Sequence, residues 1–453
     1  MNNLPVTPAV PTDPNENYGK LRSAIAEAQT QGDTKAIVLL QKQLGQAYLE
    51  AGDAPQALTE FNEAIKLVFN NEDDKEVFAQ LLGFRGLALK LIGNYSLAAQ
   101  AFRKSNALAV EIKHPALSCD SLIHLAALHS EMGKIDEAIP VLNEALGIAS
   151  EYKDKVRIMR INGLLGDNFL KRVEPTKASE YFQLAYETAQ NLGNRAAGCS
   201  FVTKLGNVFL LEGKTERAID KYEYALKLAS ALSDRNAEIN ILGGLFRAHA
   251  ISGNIDPAFT YGEQVIHLAA EISHYEAEIA SIQALASLSI EQGMTEKAFP
   301  YLERGIQIAK KQANMGWEME LLALYSRAYS VQGKYTEALI SLKEALALAT
   351  NLQDESFMAV TLGRMSAFYA EIDDLENSIS SAEKSLELSL VLEDIKLSAQ
   401  QQVLLAFNYR DLNQIDEAIQ YCSAALISYK NIGDQAIIER AQILLSELNE
   451  LGK

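Results

Sequence analysis

Small and apolar residues recur along the chain with a period of forty. A turn residue, usually glycine, stands at position 93 and at every fortieth position up to 413, and an earlier one stands at position 52. Five residues after each turn comes a small side chain, which is alanine in nine repeats and serine in one. The apolar positions in between follow helical spacing, so each repeat is predicted to form two amphipathic helices. Such a period indicates stacked repeats, each of which buries its apolar face against its neighbours.

Polar residues that can cap free backbone N–H groups mark the predicted helix starts. First helices are predicted to start at Asp33, Asp74, His114, Asp154, Asn194, Asp234, His274, Asn314, Asp354, Asp394 and Asp434. Second helices are predicted to start about three residues after each turn, with caps at Ser96, Thr176, Asp256, Thr336 and Asp416. The pattern therefore predicts an all-α fold of helix pairs joined by short turns.

The repeats also set the predicted organisation of the chain. Residues 1–16 hold four of the ten prolines and few apolar residues, so a disordered tail is expected there. A lone capping helix is expected over 17–32, ten helix pairs over 33–433 and a second lone helix over 434–453. Because capping helices cover the apolar ends of such arrays, we expect a whole protein built as an α-solenoid.

Two repeats carry small and aromatic residues at a characteristic spacing. These are Leu44-Gly45, Tyr48, Gly52, Ala57, Phe61 and Ala64, and again Leu205-Gly206, Phe209, Gly213, Ala218, Tyr222 and Ala225. The pattern resembles tetratricopeptide repeats, with a unit of forty residues instead of the usual number of about thirty-four. Leu205-Gly206-Asn207 also resembles the Leu-Gly-Asn signature of the LGN/Pins cell-polarity adaptors, and Leu165-Gly166-Asp167 comes near it. This resemblance implies a right-handed superhelix with its first helices on the concave face.

The motif leads to expectations about packing inside a repeat. Gly206 is expected to face Ala218 and Ala225, so that the two helices cross closely, while aromatic side chains fill gaps between layers. In the sixth repeat Phe246 stands at the small position and Gly262 at the aromatic one. We therefore expect Phe246 to fill the space that Gly262 leaves.

The ninth repeat departs most from the pattern. Asp373, Ser378 and Ala382 occupy its turn, small and aromatic positions. Because it departs at all three positions, this repeat is expected to have the softest interface of the array and is a candidate position for a bend.

Charge and composition exclude several classes of function. The chain has 41 Lys and Arg against 59 Asp and Glu, a net charge of −18, which disfavours binding to nucleic acid. No run of 18 apolar residues occurs, so no membrane span is expected, and the N-terminus lacks a secretory signal. Cys119 and Cys199 lie two repeats apart, beyond disulfide reach. With Cys422 they are expected to be free thiols, as is typical of a cytoplasmic protein.

No catalytic constellation emerges from the chain. Its six histidines form no metal-binding or nucleophile-activating motif, and no phosphate-binding loop is present. His129 and His249 stand at a packing position of the first helix, and His114 and His274 stand at helix caps. We therefore expect neither an enzyme nor a bound metal or cofactor.

Polar residues on the first helices are the candidates for function. The predicted groove residues are Arg160, Asp167, Asn207, Asn240, Arg247, Gln283, Glu320 and Arg327. Asparagine could bond a peptide backbone there, and arginine could bind a carboxylate with both ends of its guanidinium group. Four glycines share one first-helix register, at Gly83, Gly163, Gly243 and Gly363. They indicate either space for a ligand or close contact between neighbouring first helices.

Taken with the resemblance, these features predict a scaffold or adaptor that binds a partner peptide or protein in its groove. The alternative is a regulatory sensor, in which the groove takes a small signal or a short peptide and the repeats change shape. Repeats of this kind serve many unrelated partners, so the fold favours neither reading.

Overall fold

A computed structural model of the protein describes residues 14–69, 74–432 and 435–451, and these residues form α-helices and turns without any strand. The helices are α1 (Pro14–Gln31), α2 (Thr34–Glu50), α3 (Ala54–Val68), α4 (Lys75–Leu91), α5 (Tyr95–Glu111), α6 (Pro115–Glu131), α7 (Ile135–Glu151), α8 (Lys155–Lys171), α9 (Pro175–Asn191), α10 (Arg195–Leu211), α11 (Thr215–Leu232), α12 (Arg235–Ile251), α13 (Ile255–Glu271), α14 (Tyr275–Glu291), α15 (Thr295–Lys311), α16 (Met315–Val331), α17 (Tyr335–Leu352), α18 (Glu355–Glu371), α19 (Leu375–Val391), α20 (Ile395–Asp411), α21 (Ile415–Ile432) and α22 (Gln435–Leu451). Even-numbered helices from α2 to α20 are the first helices of their repeats. The predicted all-α repeat fold is confirmed.

The chain divides into two compact units, Met1–Ala237 and Glu238–Lys453. The division falls inside α12, and the unbroken period of the sequence gave no sign of it. Helix α1 begins at Pro14, three residues before the predicted start, because proline is well suited to the first turn of a helix. The rest of the predicted tail, residues 1–13, lies outside the described residues.

First-helix caps form as the sequence predicts. In nine repeats the cap side chain accepts a hydrogen bond from the backbone N–H three residues later, at 2.9–3.3 Å. His114 and His274 accept through Nδ1, which requires an imidazole that is unprotonated at that atom. Asp74 makes no such capping bond, and Asp434 lies outside the described residues.

The predicted second-helix caps are wrong by two residues. Each turn residue has a positive φ, and the next residue bonds straight back to the preceding helix, as Asn94 N does to Leu89 O at 2.9 Å. The second helix therefore starts at once, and its N-cap is the residue after the turn. Asn94 and its counterparts Asp53 and Asp374 are the residues that cap with a side chain. All five predicted caps, Ser96 among them, are the second residue of their helix.

Replacing Val173 by glycine is expected to stabilise the protein by about 1 kcal/mol. Val173 takes the left-handed turn position with φ 61° and is 84% exposed, so it gains little packing there. A β-branched residue in this region is strained by about 1–2 kcal/mol or more. Glycine removes that strain, but its greater backbone entropy in the unfolded chain offsets part of the gain. Urea unfolding measures the gain. Val110→Gly, at an exposed helical position, is the control and should destabilise.

In each repeat a first-helix residue and the second-helix residue sixteen positions later form a pair in the core. In four repeats a first-helix glycine lies against a ring of the second helix, and a Cβ on that glycine would stand 2.5–2.7 Å from the ring. The pairs are Gly45–Phe61, Gly86–Phe102, Gly166–Phe182 and Gly206–Tyr222. The ring that lies nearest to Gly206 is that of Tyr222, while the predicted facing of Gly206 with Ala218 and Ala225 stays a prediction. The aromatic side chain belongs to the contact within the repeat.

Where the first-helix residue of this pair is larger, its partner is smaller. The other described pairs are Ala126–Leu142, Phe246–Gly262, Ala286–Leu302, Ser326–Leu342, Ser366–Ala382 and Ala406–Cys422. At Gly262 a Cβ would meet Leu285 Cδ2 at 2.7 Å and Phe246 Cδ2 at 3.1 Å. Phe246 thus fills part of the space beside Gly262, as expected, and Leu285 of the next first helix fills the rest.

The ninth repeat replaces the ring contact by hydrogen bonds. The Ser366 and Ser378 hydroxyls each bond the backbone carbonyl of the other residue, at 2.7 and 2.8 Å. Asn408 Nδ2 donates to Ser378 Oγ at 2.7 Å. These bonds satisfy buried polar groups where Ala382 supplies no ring, and the soft interface of this repeat stays a prediction.

Candidate functional site

A cavity of about 470 Å³ opens on the first helices of the first unit. Helices α2, α4, α6 and α8 contribute its lining, each with residues three or four positions apart. Examples are Asp120 with His124 on α6, and Arg157 with Arg160 on α8. Because that spacing places side chains on one face of a helix, four successive first helices present one continuous surface.

The floor of the cavity is apolar and carries a neutral histidine. Phe84 and Leu87 of α4 line it, and His124 stacks on Phe102 with ring centroids 5.6 Å apart. Burial lowers the pKa of His124 to about 4, and the nearby Arg160 guanidinium acts in the same direction. His124 is therefore uncharged at neutral pH and can offer one donor and one acceptor to a ligand.

One wall of the cavity is a charged cluster that joins two helices. Arg157 Nε and Nη2 donate to the two carboxylate oxygens of Asp120 on α6, at 3.0 and 2.7 Å. Arg157 Nη1 donates to Asp154 Oδ2 at 2.6 Å. Burial acts to raise the pKa of Asp154, but hydrogen bonds from Arg157 outweigh it and hold that pKa below its usual value. The cluster fixes the wall and neutralises Asp120.

The rim of the cavity is positive. Lys42 donates to the neutral amide of Gln80 at 2.9 Å, and Arg160 is exposed. Because Asp120 and Asp154 neutralise Arg157, the positive charge of the lining comes from Lys42 and Arg160. In a chain of net charge −18 this is a local excess of positive charge beside an apolar floor.

The glycines of the shared first-helix register have different surroundings. Gly83 lines the cavity, and a Cβ added to Gly83 would lie 3.7 Å from its nearest neighbour, Ser105 Oγ. Gly163 is covered by the Phe201 ring and Gly363 by the Gln401 amide, each 2.7 Å from the Cβ position, while Gly243 has no described atom within 4 Å. Space for a ligand therefore fits Gly83, and close helix contact explains Gly163 and Gly363.

Of the predicted groove residues in the first unit, only Arg160 lines the cavity. Asp167 accepts two hydrogen bonds from Lys204 Nζ of the next first helix, at 2.6 and 2.7 Å. Asn207 accepts a bond from the Tyr222 hydroxyl at 2.6 Å. Both side chains are thus held by contacts within the protein.

The other predicted groove residues belong to the second unit. Gln283 Nε2 donates to Glu320 Oε2 at 2.8 Å. Arg327 lies 3.6 Å from Glu291, in a pair with both side chains about half exposed. Asn240 and Arg247 are exposed.

Sequence reasoning missed Lys42, His124 and Arg157. It compared residues forty positions apart, whereas side chains that meet across neighbouring first helices differ by 37 or 38, as in Asp120–Arg157 and Lys42–Gln80. Opposite charges 37 positions apart were the signal that could have found Arg157.

The described residues also bear on the predictions about thiols, metal sites and membrane spans. Cys119, Cys199 and Cys422 are free and buried, as expected, and burial raises their pKa values, so their thiols are unreactive. No group of three or more His, Cys, Asp or Glu side chains in the described residues is arranged to hold a metal. None of the described helices combines the length and apolar character needed to cross a membrane.

Comparisons with known families bear on the fold. A tetratricopeptide repeat model matches residues 42–108, and the model of anaphase-promoting complex subunit 5 matches residues 96–165 and 296–371. No curated protein matches the chain in sequence. None of these matches tests the predicted likeness to the LGN/Pins adaptors.

Several solved structures are similar. The apo form of RapI is 13% identical with a TM-score of 0.56, over 79% of this chain and 99% of RapI. The apo form of the quorum sensor NprR from B. thuringiensis is 13% identical with a TM-score of 0.48, over 74% of this chain and 98% of NprR. The Rap conjugation gene regulator of the plasmid pLS20, in complex with the Phr* peptide, is 16% identical with a TM-score of 0.41, over 67% of this chain and 86% of the regulator. The protein thus has the helix-pair repeat fold of tetratricopeptide-repeat proteins.

Proposed function

We propose that the protein is a non-catalytic adaptor that binds an acidic segment of a partner protein at the cavity of the first unit. The observation that carries this proposal is the pairing of an apolar floor with an excess of cations on the first helices. Such pockets, largely apolar with a few placed polar groups, are typical of ligand sites. Carboxylates of the partner segment would lie at Lys42 on α2 and at Arg160 on α8, and apolar side chains between them would cover Phe84 and Leu87.

The remaining predicted groove residues extend the proposal. Arg247 and Arg327 of the second unit would bind further carboxylates of the partner, with Arg327 exchanging its exposed Glu291 pair for the ligand. Asn207 and Asn240 would bond the partner's backbone, which for Asn207 means sharing its amide with Tyr222. The acidic surface disfavours nucleic acid as a partner, and the buried free thiols suit the cytoplasm.

A sensor for a small signal or a short peptide is the second candidate. The size of the cavity favours it, since about 470 Å³ lies within the range of small-molecule sites. The structurally similar pLS20 regulator is described with a peptide bound. An adaptor keeps a partner protein in pull-down experiments at high salt, whereas a sensor responds to peptide or metabolite pools with a thermal shift.

The double substitution Lys42→Ala and Arg160→Ala is expected to weaken partner binding about 100-fold. Each lost charged hydrogen bond costs about 1.5 kcal/mol, or roughly tenfold in affinity. Quantitative pull-down with mass spectrometry, followed by titration of the recovered partner, measures the effect.

The matched control is Lys155→Ala with Arg195→Ala. It removes the same charge from exposed first-helix positions of the same unit that do not line the cavity. An equal loss of partner affinity in both double variants would contradict the proposed site, because binding would then depend only on the net charge of the protein.

A further inference from the structure

The first helices of the second unit carry a cavity of their own, of about 480 Å³ between α18 and α20. Gly363 leaves room at its wall, and the Gln401 amide occupies that room, with Nε2 2.7 Å from where a Cβ on Gly363 would stand. Gln401 is only 5% exposed, and its Oε1 has no hydrogen-bond partner among the described residues. A buried acceptor of this kind is costly unless a water molecule or a ligand satisfies it.

Two cations line the same cavity as Gln401. Arg364 of α18 and Lys396 of α20 line the same cavity and are exposed. Within the described part of the chain no carboxylate lies within 4 Å of the Arg364 guanidinium. Asp394 also lines the cavity, but one of its oxygens caps α20 by accepting from Leu397 N at 2.9 Å. Partial burial of the guanidinium, and then the charge of Arg327, lowers the pKa of Arg364.

We propose that this cavity is a second binding site, which takes an aspartate or glutamate side chain together with a backbone N–H of the same segment. The Arg364 guanidinium would bind the carboxylate, and Gln401 Oε1, which is closed off from solvent in the unbound protein, would accept the N–H once its amide turns toward the ligand. Val360 and Leu404 give the ligand's methylene groups an apolar wall. The site goes beyond the proposed function, because it shares no residue with the cavity of the first unit, so either site can fail alone.

The test uses two blocked amino acids as probes. Acetyl-aspartyl-methylamide carries the carboxylate and backbone N–H groups, and acetyl-asparaginyl-methylamide is its neutral isostere. Ligands of this size reach a Kd on the order of 1 mM. NMR of the full chain, labelled with ¹⁵N in glutamine side chains, reports on the site directly, with the Gln401 signals assigned as those missing from the Gln401→Leu variant.

The aspartyl probe is expected to shift the Gln401 signals in a saturable way, with at least tenfold weaker binding of the asparaginyl probe. Arg364→Ala should abolish the response, and Arg364→Lys should restore part of it. Lys42→Ala with Arg160→Ala should leave it unchanged, which separates this site from that of the first unit. Absence of a shift, an equal response to both probes, or an unchanged response in Arg364→Ala would each overturn the proposal.

The Gln401→Leu variant gives a second readout. Leucine removes the unsatisfied amide while keeping most of its volume, so the thermal midpoint should rise by about 2–4 °C. Bound aspartyl probe, followed on the Arg364 guanidinium signal, should be lost in the same variant. A merely structural glutamine would behave in the opposite way, with a lower midpoint and unchanged binding.

Discussion

Gly166→Ala is expected to destabilise the protein by about 2 kcal/mol, although alanine is the better helix former. A Cβ at this position would stand 2.5 Å from Cε1 of the Phe182 ring, which is fully buried. Overpacking of this kind costs about 1–3 kcal/mol or more and outweighs a propensity gain of about 1 kcal/mol. Urea unfolding of the full chain measures the change.

The companion variant Phe182→Leu should relieve that clash. Alanine with leucine is the pair that the chain itself uses at Ala126–Leu142. The double variant is therefore expected to be as stable as Phe182→Leu alone, with a coupling energy of about 2 kcal/mol in the cycle.

Gly147→Ala is the control, because this helical glycine of the same unit has no described atom within 4 Å of its Cβ position. It should stabilise by about 0.5–1 kcal/mol. If the changes in unfolding free energy of Gly166→Ala and Phe182→Leu simply added up in the double variant, the contact between glycine and ring would not determine which residues occur at these two positions. Equal effects of Gly147→Ala and Gly166→Ala would lead to the same conclusion.

Arg157→Met is expected to destabilise the first unit by about 2 kcal/mol and to disturb the cavity. It removes the cation that binds Asp120 and Asp154, leaving two partly buried carboxylates without that partner. Breaking a fully buried pair costs about 3–5 kcal/mol, and the smaller figure follows because a quarter to a third of each side chain is exposed.

The pH dependence of this variant gives an independent check. Arg157 holds the pKa of Asp154 below its usual value, so the stabilisation is present above the unfolded pKa of about 3.9 and is lost as the pH falls through the folded value. The difference between wild type and variant should therefore be large at pH 7 and shrink below about pH 4. Arg160→Ala, on the same helix but exposed, should change stability by less than about 0.5 kcal/mol. An equal loss in both variants would contradict a specific role of the Arg157 cluster.

Much of the fold could be predicted because its signals are local. A cap such as Asp33 acts on the backbone three residues away, and a turn residue such as Gly93 acts on its own φ angle. Both effects recur at every repeat, so the period alone located the helices. The second-helix caps were predicted two residues too late, because one residue in the left-handed conformation is enough to reverse the chain and the second helix starts directly after it.

The candidate site was only partly predictable, since it depends on how neighbouring first helices are staggered. Arg160 was found because it is polar and stands on the first-helix face. The Arg157–Asp120 bond was not, because the stagger brings together residues 37 rather than forty positions apart. The unpaired Gln401 acceptor was also invisible, since burial and the absence of a partner are properties of the surroundings and not of the residue.

The sequence by itself determined the helix pairs, their boundaries to within a few residues and the buried small and aromatic positions, because these follow from contacts within one forty-residue repeat. The tertiary structure alone decided which polar side chains meet between repeats, where cavities open and where the chain divides into two units. Those features depend on how helices from different repeats pack, and no single repeat carries that information.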